Sequence, residues 1–283
     1  MLPGISFADA ESTFEEADFV IYGVPFDRTT SFRPGTREGP HEIRKSSYNF
    51  ETFMFEHEAD TEDIKLHDLG NMDDFGLVDH MVAEGEVVIG NIVANGKFPI
   101  VLGGEHSVTI PAVRSFEDIS YISIDAHLDF RDSHLGERNS HACVTKRCAD
   151  HLGLENVFVI GCRSISKEEW RSGPLPGYLD SYTVFEIGIE KAVKEALDSV
   201  GNEKVYISLD IDGIDPAFAP GTGTPEPFGL TPYDVKKLIN IVGDRMVGFD
   251  VVEVSPIYDN GNTAALAARM VREAICVATK HRS

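Results

Sequence analysis

Eight short apolar runs, separated by longer amphipathic stretches, constrain the fold of this 283-residue chain more than any other feature. The runs are rich in β-branched residues, as buried strands are. They lie near residues 19–24, 64–68, 98–102, 120–125, 156–161, 182–186, 204–210 and 246–253. Helices are predicted between them, at 38–53, 76–96, 106–115, 141–152, 188–200, 231–242 and 263–280. This alternation predicts an α/β fold in which helices cover both faces of a mostly parallel sheet.

The length and the absence of linkers predict a single domain over residues 1–283, because α/β folds often form one unit of this size. No apolar run reaches the roughly 20 residues needed to span a bilayer. The N-terminus lacks the basic start and the clean apolar segment of a secretory signal. We therefore expect a cytoplasmic protein that has no membrane partner.

The chain is strongly acidic, with 47 Asp and Glu residues against 25 Lys and Arg, a formal net charge of −22. This charge argues against nucleic acid or an anionic membrane as a partner. It suits a cationic substrate, although an acidic surface also serves solubility or salt adaptation. The cysteines form no C-x-x-C pair and are expected to be reduced and mostly buried. They are Cys143, Cys148, Cys162 and Cys276.

Three predicted strands end in side chains that commonly bind metal ions. In S-I-D-A-H-L-D-F, residues 123–130, the ligand types recur at every second position, so an extended backbone would project them to one side. A pair of aspartates closes the run 204–210, and a histidine follows the paired glycines after 98–102. Carboxyl ends of strands gather ligands in α/β sheets, so we expect one shared cavity. The expected ligands are His106, Asp125, His127, Asp129, Asp210 and Asp212.

This candidate set combines four carboxylates with two imidazoles. One divalent ion would leave two negative charges uncompensated, whereas two ions neutralise the set, and carboxylates such as Asp125 and Asp210 can bridge ions roughly 3.5–4 Å apart. Oxygen-rich ligation without thiolate favours manganese. Water between two such ions loses a proton near neutral pH, so the expected chemistry is hydrolysis by a metal-bridging hydroxide.

Two further residues suggest what is hydrolysed. Glu253 ends the last strand among apolar neighbours and needs a cation, which is either the planar guanidinium of a substrate or an internal arginine. His141 is either a proton donor to a leaving amine or simply the first residue of a helix. The polar loop 131–140 and the Gly- and Pro-rich loop 213–229 are expected to shape the pocket.

Eight motifs, all in order, make the chain similar to the ureohydrolases, the arginase and agmatinase family, over nearly its full length. They are G-V-P-F-D, R-x-G-P-x-x-I-R, G-G-E-H-S, D-A-H-L-D, S-H-A-C, S-L-D-I-D-G-I-D-P, G-T-P-E-P and D-V-V-E-V-S-P. The resemblance implies a three-layer α/β/α fold with an eight-stranded sheet, assembled as a homotrimer or homohexamer.

The resemblance also implies a role for each site residue. One manganese ion would be held by His106, Asp125, Asp129 and Asp210, and the second by Asp125, His127, Asp210 and Asp212. Asp125 and Asp210 would bridge the pair. Glu253 would bind the substrate guanidinium, and His141 would act as the proton shuttle.

Within the family, S-H-A-C and G-T-P-E-P are similar to agmatinases, which convert agmatine and water to putrescine and urea in polyamine biosynthesis. The loop 131–140 is unlike the loop with which arginases hold an α-carboxylate. The chain departs from agmatinases at Phe228, where they often carry Gly, and in I-Y-D-N-G-N after Ser255 and Pro256. Both departures bear on how the substrate tail is bound.

Other functions would keep the same ligands. Ureohydrolases acting on arginine, guanidinobutyrate, guanidinopropionate or formiminoglutamate are alternatives, and an anionic tail would need a basic residue such as Arg131, Arg138 or Arg163. A deacetylase-type amide hydrolase uses one zinc and a Tyr, which the pairing of Asp210 with Asp212 argues against. A non-catalytic metal-binding relative is the alternative from a different class, and the complete ligand set argues against it.

Overall fold

The computed structural model describes residues 5–73 and 76–280, in which eight parallel strands form one sheet. In chain order the strands are β1 Phe19–Val24, β2 Phe53–Met54, β3 Ala59–Asp60, β4 Leu66–Asn71, β5 Phe98–Gly103, β6 Ser120–Ile124, β7 Val157–Cys162, β8 Gly177–Asp180, β9 Val205–Asp210 and β10 Met246–Val252. The order across the sheet is β4-β1-β5-β10-β9-β6-β7-β8, and β2 pairs with β3 in a separate antiparallel hairpin.

Helices cover both faces of this sheet. They are α1 Gly39–Ser47, α2 Val78–Ala94, α3 Thr109–Arg114, α4 Val144–Leu152, α5 Lys167–Arg171, α6 Ser181–Ile187, α7 Ile189–Ser199, α8 Pro232–Val242 and α9 Asn262–Thr279. Alternate strand residues enter two hydrophobic clusters: Phe19 and Ile21 pack with α1, α7, α8 and α9, whereas Val20 and Tyr22 pack with α2, α3 and α4. The predicted three-layer α/β/α fold with an eight-stranded parallel sheet is confirmed.

One predicted strand, at 182–186, is wrong, because residues 181–187 form the helix α6. Asp180 caps this helix: its carboxylate accepts hydrogen bonds from the Thr183 N–H at 2.9 Å and from the Thr183 hydroxyl at 2.7 Å. Tyr182 and Phe185 lie three residues apart on its outer face and point to solvent, so the aromatic and β-branched run 182–186 was not a sign of a buried strand. The actual strand is the shorter β8, immediately before the cap.

Two other expectations concern the chain as a whole. All four cysteines are buried and free, as predicted. Over the ranges 5–73 and 76–280, no helix has the length and apolar character that crossing a bilayer requires. That residues 1–283 form one domain, and that the protein is cytoplasmic, stay predictions.

The last strand of the sequence lies in the middle of the sheet. Val251 of β10 pairs with Leu102 of β5 on one side and with Leu209 of β9 on the other. β6 follows β9, with Ile124 opposite Leu209. The carboxyl ends of β5, β10, β9 and β6 therefore lie next to one another, where a crevice for ligands is expected.

Candidate active site

The residues predicted to form the site meet at this row of strand ends. Asp125 follows β6 directly, Asp210 is the last residue of β9, and Glu253 follows β10. His106 begins a single 3₁₀ turn after β5. Because the four strands are neighbours, residues up to 147 positions apart come into contact, as in the hydrogen bond from the His106 backbone N–H to Glu253 Oε1 at 2.8 Å.

A glycine sets the path of the chain from β5 into the site. A Cβ placed on Gly104 would lie 2.0 Å from the backbone oxygen of Phe26, so the two segments approach too closely for any side chain. The same oxygen accepts the N–H of Glu105 at 2.7 Å. The approach fixes where Glu105 and His106 enter the site.

We expect Gly104→Ala to lower the free energy of unfolding by about 1–3 kcal/mol, as overpacking in a rigid environment does. Chemical denaturation checks this expectation. The matched control is Gly90→Ala in α2, where the nearest atom to an added Cβ is Ser115 Oγ at 3.9 Å. That change should leave the protein as stable or up to about 1 kcal/mol more stable. Equal stability of the two variants would contradict the packing argument.

His106, Asp125, Asp129 and Asp210 form the first of two groups of candidate ligand atoms. His106 Nδ1 lies 3.1 Å from Asp125 Oδ2 and 3.2 Å from an oxygen of both Asp129 and Asp210. His106 is 1% exposed and Asp125 is 0% exposed. Burial, followed by the charge of Asp125, raises the pKa of Asp129 to about 6. The shift reflects the cost of gathering carboxylates away from water.

Asp125, His127 and Asp212 form the second group. His127 Nδ1 lies 3.2 Å from Asp212 Oδ2 and 3.7 Å from Asp125 Oδ1. Asp125 therefore belongs to both groups: its Oδ2 is part of the first group, and its Oδ1 is part of the second. Asp210 belongs to the first, and its Oδ1 accepts the N–H of Asp212 at 2.9 Å. Thr224, from the loop 213–229, donates its hydroxyl to Asp212 Oδ2 at 3.0 Å.

The side chains of residues 125–129 converge by a route different from the predicted one. Strand β6 ends at Ile124, and Asp129 has a left-handed backbone with φ of +49°. Uninterrupted strand alternation does not continue through this segment. A turn held by the His127 N–H and Asp125 Oδ1 at 2.7 Å replaces it.

Hydrogen bonds beneath the first group orient the His106 ring. Asp250 is fully buried on β10 and accepts hydroxyl protons from Ser208 at 2.6 Å, Thr109 at 2.8 Å and Tyr206 at 3.0 Å. Since the Ser208 proton points to Asp250, Ser208 Oγ can accept from His106 Nε2, 3.1 Å away. In the neutral ring this leaves His106 Nδ1 unprotonated.

This arrangement tests whether the residues fit a metal. A buried lone pair on His106 Nδ1 faces three carboxylate oxygens, and neither Nδ1 nor Asp125 Oδ2 has a hydrogen-bond partner. Buried polar atoms without partners are unfavourable, and a cation between them removes the conflict. The donors are carboxylate oxygens and imidazole nitrogens without thiolate, a set suited to manganese and related divalent ions. The residues therefore fit a metal pair.

A small cavity of about 120 Å³ opens above the two groups. Glu253 and His141 line it together with ligand residues. Glu253 is 6% exposed, and among residues 5–73 and 76–280 no lysine or arginine forms the internal salt bridge that was the alternative. Burial, and then the charge of Glu105, raises the pKa of Glu253 well above its ordinary value. This carboxylate faces the cavity, and the part of the chain that the structure describes gives it no fixed counter-charge.

The three arginines considered for an anionic tail have different surroundings. Arg131 lines the cavity, with its Nε 3.7 Å from Glu169 Oε2. Arg138 is an exposed residue paired with Asp132. Arg163 donates to backbone carbonyls, among them those of residues 212 and 226 at 2.6 and 2.7 Å, and so fastens the loop 213–229. Only Arg131 of the three lines the cavity.

Several cavity residues were not predicted. They include Ser31, His134, Ser164, Ser166, Glu169 and Thr224. His134 and Thr224 lie on the two loops that were expected to shape the pocket. Ser31 follows the G-V-P-F-D motif, so the polar run after β1 was the available signal. His141 both opens a 3₁₀ turn, as one interpretation held, and lines the cavity, as the other held.

Comparisons with known proteins agree with this geometry. Residues 17–277 match the Arginase family. The chain is 36% identical over 279 residues to an agmatinase of Bacillus anthracis, with 95% of each protein covered. It is 35% identical over 276 residues to a guanidinobutyrase of Pseudomonas aeruginosa, covering 92% of this chain and 86% of that protein. The crystal structure of the agmatine ureohydrolase of Thermoplasma volcanium superposes with a TM-score of 0.96 at 41% identity, covering 100% of this chain and 97% of that one. It follows that this chain is a ureohydrolase, a member of the arginase family.

Proposed function

We propose that this ureohydrolase is a manganese-dependent agmatinase that converts agmatine and water to putrescine and urea. The observation that carries the proposal is the pair of ligand groups that share Asp125 below a cavity lined by Glu253 and His141. A cavity of about 120 Å³ suits a small head group such as guanidinium. Agmatinases and an agmatine ureohydrolase among the relatives support the substrate.

Two manganese ions per chain are proposed, held by the residues of the two ligand groups. His106, Asp125, Asp129 and Asp210 would hold one ion, and Asp125, His127 and Asp212 the other. Asp210 would be a further ligand of the second ion, as the resemblance to the family implies. When bound, the ions would lower the pKa of water and so supply a nucleophile at neutral pH. The six ligand side chains lie at or just after the carboxyl ends of three strands, β5, β6 and β9, and the sheet keeps these strand ends in place.

The chain's own residues would bind and orient the substrate. The Glu253 carboxylate would pair with the guanidinium, whose donors form a fixed fork. Glu253 Oε1 already accepts the His106 N–H, which connects this substrate-binding carboxylate to a proposed metal ligand. His141 would move the proton needed by the leaving amine. We also propose a homotrimer or homohexamer, which the mass in solution would test.

One observation favours a second candidate substrate. Arg131 lines the cavity and could receive the carboxylate of a substrate such as guanidinobutyrate, on which one relative acts. Glu169, 3.7 Å from Arg131, offsets part of that positive charge. The net charge of −22 also suits the doubly cationic agmatine better than a substrate with an anionic tail.

The deciding experiment is to strip the protein with a chelator, restore manganese, and measure urea from agmatine, arginine, guanidinobutyrate, guanidinopropionate and formiminoglutamate. We expect about two manganese ions per chain and the highest kcat/KM with agmatine. The stripped protein is the control and should release no urea. Preference for guanidinobutyrate would favour the Arg131 assignment. Two bound ions without turnover on any substrate would favour a non-catalytic relative.

A further inference from the structure

A continuous line of hydrogen bonds runs through the ring of His141. Arg131 Nη1 lies 3.1 Å from His134 Nδ1, and His134 Nε2 lies 3.0 Å from Ser31 Oγ. Ser31 Oγ is 3.0 Å from His141 Nε2. On the other side of the ring, His141 Nδ1 lies 3.0 Å from Thr29 Oγ1. The protons in this line decide which nitrogen of His141 is protonated.

At the Arg131 end of the line, the donor and the acceptor of each hydrogen bond are fixed. A guanidinium only donates, so His134 Nδ1 must accept and its Nε2 must carry the proton. Burial, and then the charge of Arg131, lowers the pKa of His134, which is consistent with a neutral ring. His134 Nε2 therefore donates to Ser31, and the Ser31 hydroxyl is directed to His141 Nε2.

At the other end of the line, the hydrogen bond between Thr29 and His141 favours the same position of the imidazole proton. Thr29 donates its single hydroxyl proton to Glu105 Oε1 at 2.6 Å, and its oxygen also accepts the backbone N–H of His141 at 3.0 Å. Only a lone pair of Thr29 remains for the imidazole, so the contact with Thr29 needs His141 Nδ1 as the donor. Ser140 Oγ lies 3.2 Å from the same nitrogen and can accept its proton, or donate to it in the other tautomer. Together, the contacts with Thr29 and Ser31 favour a proton on Nδ1 and a free lone pair on Nε2, whereas without the Ser31 donor Ser140 can support the other tautomer.

We propose that Ser31 and His134 are positioning residues that hold His141 in the Nδ1–H tautomer, so that Nε2 accepts a proton before it donates one. Burial lowers the pKa of the His141 ring to about 3, so it is neutral at rest. The consequence for catalysis rests on the proposed function. As water forms the new C–O bond to the guanidinium carbon, one of its protons passes to Nε2 in place of the hydrogen bond from Ser31. Nε2 returns that proton to the leaving nitrogen as the C–N bond breaks. The remaining proton on the new hydroxyl group follows to the departing amine, so the products are urea and an ammonium ion. The ring ends neutral, as it began.

The test compares variants that remove or keep the donor to Ser31. His134→Phe and Ser31→Ala break the line, whereas the amide N–H of His134→Gln can still donate to Ser31. Ser133→Ala, an exposed neighbour in the same loop, is the control. Long-range ¹H–¹⁵N spectra of metal-free protein labelled with ¹⁵N-histidine report the tautomer, and the signals lost in His141→Asn identify the ring.

The parent protein, His134→Gln and Ser133→Ala should show Nδ1–H at His141, and the two broken variants a mixture of tautomers. After manganese is restored, kcat of His134→Phe should fall about tenfold with little change in KM, a part of the usual acid–base contribution. An Nε2–H tautomer in the parent, or spectra of both broken variants identical to the parent, would overturn the proposal. The expected spectra in a protein that releases no urea would support the tautomer and refute the proposed function.

Discussion

Asp210→Asn is expected to bind fewer than two manganese ions per chain and to release urea more than about 100-fold more slowly, beyond the loss typical of outer-shell partners. Asp210 Oδ2 lies 3.2 Å from His106 Nδ1, and its Oδ1 accepts the N–H of Asp212. An amide keeps the shape of the side chain but removes one of four negative charges. The remaining three cannot balance two divalent ions, and the amide nitrogen is no ligand.

Metal content by plasma mass spectrometry and urea release should be measured on the same preparation. Asp198→Asn is the control, because it removes the same charge from an exposed position on α7. It should keep both the metal content and the rate of the parent. An Asp210→Asn protein with two ions and an unchanged rate would refute the assignment of the centre.

Glu253→Gln should behave differently, because it should leave the metal content unchanged and weaken the binding of the substrate guanidinium. Removing one partner of a buried charge pair costs about 2–5 kcal/mol, so kcat/KM for agmatine should fall by roughly 30-fold to several thousand-fold. Glutamine retains an oxygen to accept the His106 N–H, so the backbone next to the ligand should stay in place. Steady-state kinetics together with metal analysis separate the two effects.

The control for this change is Glu203→Gln, at an exposed position before β9. Both variants should bind two ions, and only the one at 253 should lose activity. If Glu253→Gln loses its metal instead, the side chain supports the centre and its role in substrate binding is wrong. Unchanged kcat/KM would mean that another group receives the guanidinium.

The ligand set could be predicted from sequence because a parallel sheet brings strand ends together whatever their separation in the chain. Two apolar runs that ended in Asp therefore located candidate ligands, Asp125 and Asp210, whereas Asp68, at the end of the run 64–68, pairs with Arg44 instead. The same rule located Glu253, which follows β10. Contacts between loops follow no such rule. Ser31 and His134 lie 103 residues apart and meet only in the folded protein, so no local pattern could predict their pairing.

Other motif residues could not be assigned a role from their type. Arg44 closes the motif R-x-G-P-x-x-I-R, yet it is 1% exposed and forms a two-point ion pair with Asp68, at 2.8 Å through both Nε and Nη2. It also donates to Asn71 at 2.5 Å. Its guanidinium thus joins α1 to β4 rather than binding a substrate. In a sequence motif, an arginine of a buried ion pair cannot be distinguished from an arginine of an active site, because both roles require a charged side chain at a fixed position.

The central position of β10 has a consequence for biosynthesis. A nascent polypeptide that has not yet emerged beyond residue 245 carries two half-sheets, β4-β1-β5 and β9-β6-β7-β8, each ending in an apolar strand with unpaired N–H and C=O groups. Asp125, His127 and Asp212 all belong to the second half, whereas His106 belongs to the first. Binding of the proposed metal pair would thereby require the final insertion of β10, which joins the two halves, and until then both open edges would be able to pair with other strands.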